Sequence, residues 1–250
     1  MIGLSNSTTP GTSPSHVGPH PGSLALVFTA LFISSLVPVT LLVSTTHFPS
    51  PFQPPAEITA YFKGEAYKVI FCAFLQFGAA IPLGIYAATM VSRLSFHGAK
   101  QTGITIALFG GFAASSAIAL SALVQWTIAQ PGIADDATLT RALHYLIFAI
   151  GGPGYTVPLG LLIAGIAIPA GFMGLLPKWL AFAGVALGIV GELSALTLVI
   201  PNALYFVPMT RFPGFLWLIA AGFMLSPRAR PAAKAVFGSQ TETDRIPVHA

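Results

Sequence analysis

Few residues in this chain could bind a ligand or carry a proton from within an apolar stretch. They are Glu192, Gln76, Gln125, His144 and Tyr155, joined by the backbone at Gly151 and Gly154. Glu192 is the most deeply set acid, inside WLAFAGVALGIVGELSALTLVI at 179–200. A carboxylate in the apolar core of a bilayer costs a few kcal/mol or more unless it turns toward other helices and is protonated or hydrogen-bonded. Its helix face fits that requirement, because Gly184, Gly188, Gly191, Glu192 and Ala195 recur at helical spacing. Gly184 and Gly188 also form a small-xxx-small step that admits a neighbouring backbone. Glu192 is therefore expected to face the bundle interior and to donate a hydrogen bond to Gln76, to another helix or to a carbonyl near Gly151.

Backbone chemistry enters at GGPGYTVPLG, residues 151–160. Pro153 and Pro158 each remove a donor, and Gly151, Gly152 and Gly154 loosen the chain between them. A kinked or unwound helix follows, and interrupted spans recur where transporters bind substrate. Every candidate also has a plain structural role. Glu192, Gln76 and Gln125 could serve as interhelical hydrogen bonds, His144 as an interfacial residue, and Ser115, Ser116 and Ser121 as small packing residues.

The elements that must position these residues are membrane spans. The chain has 250 residues, 54% hydrophobic and 7% charged, with mean hydropathy +0.80, whereas an ordinary soluble domain carries about 25% charged residues. The reading is an all-α, polytopic bundle of six transmembrane helices, the fourth broken by Gly and Pro. The spans expected are 23–44, 67–91, 102–129, 139–172, 179–200 and 212–225. Residues 1–22 and 226–250 have the composition of solvated tails, and no signal peptide is expected before the first span. Between the first two spans, Pro51, Pro54 and Pro55 precede AEITAYF, expected to form a short interfacial helix with Phe48, Phe52, Tyr61, Phe62 and Tyr67 at headgroup depth. Asp135 and Asp136 suit the N-terminus of the helix that follows them.

At about 1.5 Å of rise per residue, Glu192 lies roughly 20 Å above the inner interface. Gln76 and Gly151 fall roughly 12 and 15 Å below the outer one, with Gln125 and His144 nearer the outer mouth. An acid, an amide, a histidine and a broken helix thus converge in the outer half. Orientation rests on Arg93, Lys100, Lys178, Arg228, Arg230, Lys234 and Arg245 inside, against Lys63, Lys68, Arg141 and Arg211 outside, which favours both termini in the cytoplasm. Ile81-Pro82-Leu83-Gly84 echoes Val157-Pro158-Leu159-Gly160, a pattern that either an internal repeat or chance produces.

Enzyme chemistry finds no motif. HExxH, GxSxG and a phosphate loop are missing, and a single span histidine excludes paired haem ligation. No catalytic residue, metal or cofactor is expected, and Cys72, the only cysteine, has no intramolecular partner. The net charge of +4 lies mostly in one loop and the C-terminal tail, so it speaks for orientation and anionic lipid, not nucleic acid.

In layout, and locally in GLLPKWLAFAG and FLWLIAAGFMLSP, the chain resembles uncharacterised bacterial six-span membrane proteins. That resemblance implies a bacterial inner-membrane location and supplies no activity. The function expected is a non-enzymatic membrane-embedded binding or accessory protein. Its partners would be the lipid bilayer, a lipid or small hydrophobic ligand, and a second copy of the chain as homo-oligomer. The alternative is a small proton-linked transporter using Glu192 and the broken fourth helix.

Overall fold

The computed structural model describes residues 18–41, 47–99 and 102–225; the tail assignments for residues 1–17 and 226–250 lie outside the described residues. Among the described residues the chain is all helical, with six helical stretches long and apolar enough to cross a membrane. The protein is a multi-pass α-helical membrane bundle.

The first span is α1, Pro21–Leu36, continued by a π-helical turn at Val37–Leu41. It starts slightly earlier than expected because Pro21 is well tolerated in the first turn, where its missing N–H costs no hydrogen bond. The short helix after Pro54 is present as α2, Pro55–Gly64, and its apolar face buries Ile58, Tyr61 and Phe62. It leads into α3, Ala66–Phe96, which accommodates Pro82 without interruption. Then come α4, Thr102–Ile128, and a short 3-10 turn at Ile133–Asp135. Asp136 caps α5, Ala137–Gly151, accepting from the backbone of Thr138 and Leu139 at 2.8 and 3.0 Å. That is the N-terminal role read for Asp136, whereas Asp135 pairs with Lys63.

The fourth span is broken at a single point. α5 ends at Gly151, Gly152 adopts φ −87° and ψ −107°, and α6, Pro153–Phe172, begins with its proline in the first turn. Pro158, expected to help break the helix, lies inside α6 instead. One non-helical residue is enough to redirect the chain, because Pro153 cannot donate to a carbonyl of the preceding turn.

Neighbour packing runs from α1 to α3, α4, α6, α7 (Lys178–Leu193) and α8 (Phe206–Met224), and closes from α8 back to α1. α6 is the buried element: Leu159, Leu162, Ile163, Ile166, Ala167 and Ala170 are fully buried. It meets α4 so closely that a Cβ on Gly110 would stand 2.6 Å from the Leu162 nitrogen and the Pro158 oxygen. α7 lays its glycine stripe on the other side, where Gly191 approaches the Gly160 backbone. At the end of the bundle away from α2, Arg93 of α3 donates to the Leu225 carbonyl at 2.9 Å and Tyr86 to Leu218 at 3.0 Å. A cation there complements the negative end of the α8 dipole.

Two boundaries differ from expectation, with consequences for the site. α7 stops at Leu193 and passes through 3-10 segments at Ser194–Leu198 and Pro201–Tyr205. α8 then begins at Phe206, six residues before Phe212, with Pro208 in its first turn. Arg211, counted among the outer-loop cations, is therefore inside a span, and only Lys63, Lys68 and Arg141 of that group remain in or next to the connections.

Candidate functional site

A cavity of about 390 Å³ lies against residues 48–51, in the segment that precedes α2. Phe32, Leu36 and Val39 enter from the first span, Cys72 and Gln76 from α3, and Ile118, Ser121 and Gln125 from α4. His144, Ile147, Phe148 and Gly151 come from α5, Gly152 from the break, and Leu204, Val207 and Arg211 from the α8 side. Residues 48–51 also line it. Five of the six spans therefore contribute to the wall, and α7 contributes nothing.

Local folding explains how each polar group arrives. The break ends α5 at Gly151, and its carbonyl accepts a hydrogen bond from Arg211 Nη2. The guanidinium also lies 5.3 Å from the ring centre of Phe32 and 5.4 Å from that of Tyr155. Those two rings are nearly parallel, 16° apart in plane, and Phe32 packs in turn on Phe215. Each cation–π contact is worth about 0.5–2 kcal/mol, and a hydrogen bond to a charged group about 1.5–3 kcal/mol. Set against desolvation of a permanent charge, they hold Arg211 in place without neutralising it. Among the described residues no carboxylate lines the cavity, Arg211 Nε has no hydrogen-bond partner, and the ion pairs, Lys63–Asp135 and Lys68–Glu65, lie elsewhere.

His144 is 1% exposed and is clasped edge-on by Phe48 and Phe62 at 5.6 and 5.2 Å. Its Nδ1 has no hydrogen-bond partner. Gln125 donates to the Val69 carbonyl at 3.4 Å, Gln76 to Cys72 Sγ at 3.4 Å and Ser121 to the Ile147 carbonyl at 3.1 Å. Above the cavity, burial, reinforced by the Glu65 charge, raises the Tyr61 phenol well beyond its ordinary range, so it stays neutral. The α2 cap is tied down on its outer side by Lys63 and Asp135, 2.8 Å apart.

Of the seven residues singled out from the sequence, Gln76, Gln125, His144 and Gly151 line this one cavity. Tyr155 stands behind Arg211, fully buried, and Gly154 is exposed on α6 away from the cavity. Glu192 is a correction, since it is exposed on the outer face of α7 and lines no part of the cavity. The reason is angular. Successive helical residues are about 100° apart, so Glu192 cannot share the facing direction of Gly191, and the close approach of Gly188 and Gly191 to α6 turns it outward. No donation from Glu192 to Gln76 or to the Gly151 carbonyl forms, and Arg211 holds that carbonyl instead.

Arg211 is the cavity-lining charge that sequence reasoning missed. Pro201, Asn202 and Pro208 together look like a loop, yet proline is well tolerated in a first helical turn, and Phe206-Val207-Pro208-Met209 is apolar enough to belong to the span. Compared with known proteins, the chain matches no protein family, no curated protein and no solved structure.

Proposed function

We propose that this protein is a non-catalytic, membrane-embedded binding protein that holds a lipid or small hydrophobic molecule in the cavity lined by residues 48–51 and five of the spans. The observation that carries this reading is a cavity walled by five of the six spans, largely apolar, with a few inward polar groups. Ligand sites typically have this size and makeup. Removal of Glu192 from the interior takes away the geometric support for a proton-carrying transporter built on that residue. A bacterial inner membrane with both termini cytoplasmic remains the proposed setting. It is supported by the excess of basic residues at that end, which grows once Arg211 leaves the outer count.

Binding is tested with the full chain in lipid nanodiscs and tritiated decanol, subtracting uptake by empty discs. Saturable binding is expected, reduced about tenfold or more by Ile118→Trp, which fills the cavity. Absence of saturable binding, or binding indifferent to Ile118→Trp, overturns the reading. For topology, a cysteine replacing Ser239 should resist an impermeant thiol reagent in intact cells, and labelling there would reverse the orientation.

A further inference from the structure

The cavity combines an apolar wall with one fixed positive charge, and that combination specifies its occupant more narrowly than hydrophobicity does. Arg211 is ionised at every accessible pH and offers five N–H donors in a planar fork. The Gly151 carbonyl takes one of them, and Phe32 and Tyr155 lie against the guanidinium. Among the described residues Nε remains without a partner and no carboxylate lines the cavity. A second orphan, His144 Nδ1, belongs to a side chain that lines the same wall and is otherwise buried. Neither atom presents surface to the cavity; the part of the Arg211 guanidinium that does line it, with no carboxylate among the described lining residues to balance it, marks where an anionic group belongs.

We infer that the occupant is a single-chain amphiphile with a carboxylate head, seated with the carboxylate at Arg211 and its chain along Leu36, Val39, Ile118 and Ile147. The inference rests on the binding reading and names its ligand class. A carboxylate matches the guanidinium fork and needs one countercharge, which is what the wall supplies. A phosphate monoester, carrying up to two charges, would leave one uncompensated. A free small anion would leave the apolar wall against water. At about 30 Å³ per heavy atom, the cavity holds roughly a dozen atoms, the size of a medium-chain fatty acid.

The test uses the full chain in neutral-lipid nanodiscs at pH 8, with decanoate, decanol, decyltrimethylammonium and decyl phosphate competing for the site. Decanoate is expected to bind at least tenfold more tightly than decanol, and decyltrimethylammonium more weakly than either. Arg211→Gln should abolish the gap by weakening decanoate alone. Equal affinities of decanoate and decanol in the wild type overturn the carboxylate inference while leaving the binding reading intact, and this comparison does not depend on the variant folding. Tighter binding of decyl phosphate than of decanoate also overturns it. Saturable binding of none of the four overturns both.

Discussion

A Cβ placed on Gly110, at the seam between α4 and α6, would stand 2.6 Å from backbone atoms of the neighbouring helix. One placed on Gly151, at the cavity, would meet only the side chain of Ser121, at 2.5 Å from its hydroxyl. The first neighbour cannot move without separating two helices, and the second can rotate. Around the seam, glycines bring α4, α6 and α7 into backbone contact and leave no room. Around the cavity, a broken helix, a π-helical turn and a short cap hold the spans apart and leave polar atoms unpaired. Helices in lipid associate through close packing and interhelical hydrogen bonds. The seam therefore carries the stability, and the cavity is free to carry function.

Substitutions can break or sharpen this contrast, all read by equilibrium unfolding in mixed micelles. Gly110→Ala should have the largest effect, a loss of about 3 kcal/mol or more, because overpacking against rigid backbone forces the helices apart. A loss under about 1 kcal/mol would show that the α4–α6 approach is not under constraint.

Ser194→Ala comes next. Ser194 and Thr156 hydroxyls are 2.6 Å apart, and Ser194 donates to the Gly191 carbonyl at 2.5 Å, so the bridge from α6 to the end of α7 is lost. The expected cost is about 1–2 kcal/mol, since the hydroxyl of Thr156 retains the Gly152 carbonyl as partner. An unchanged unfolding midpoint would remove this bridge from the stabilising set.

Gly151→Ala is the cavity counterpart of Gly110→Ala, and its net effect should stay within about 1 kcal/mol. Rotating Ser121 forfeits its bond to Ile147, and the gain in helix propensity of alanine over glycine offsets much of that. A loss as large as that of Gly110→Ala would erase the distinction between the two regions. Glu192→Leu should cost nothing and could raise the midpoint, because the acid points out of the bundle and only its exposure to lipid is removed. A marked destabilisation would mean that Glu192 makes an interhelical contact that the outward face of α7 does not contain.

Read alone, the sequence determines the class and the local breaks. Apolar runs long enough to span, flanked by polar tails and loops, force backbone groups into helices, because lipid offers them no other partner. Pro153 after two glycines removes a donor where the chain is loosest and breaks the fourth helix there, whereas Pro82 and Pro158 are carried inside continuous helices. Counting residues down each span also gives depth, which is why Gln76, Gln125, His144 and Gly151 could be placed in the same outer half before any packing was known.

Rotation about each helix axis was decided by tertiary structure. Glu192 and the glycine stripe were legible as one face of α7, but a stripe about 100° wide does not say which of its edges meets the neighbour. The approach of Gly188 and Gly191 to α6 chose, and it put the acid outside. The start of α8 was decided in the same way. Its first turn is stabilised by packing Val207 and Thr210 inward, and the extra turns carry Arg211 from an apparent loop to the Gly151 carbonyl. Depth follows from chain length alone, whereas facing direction depends on which neighbour comes closest.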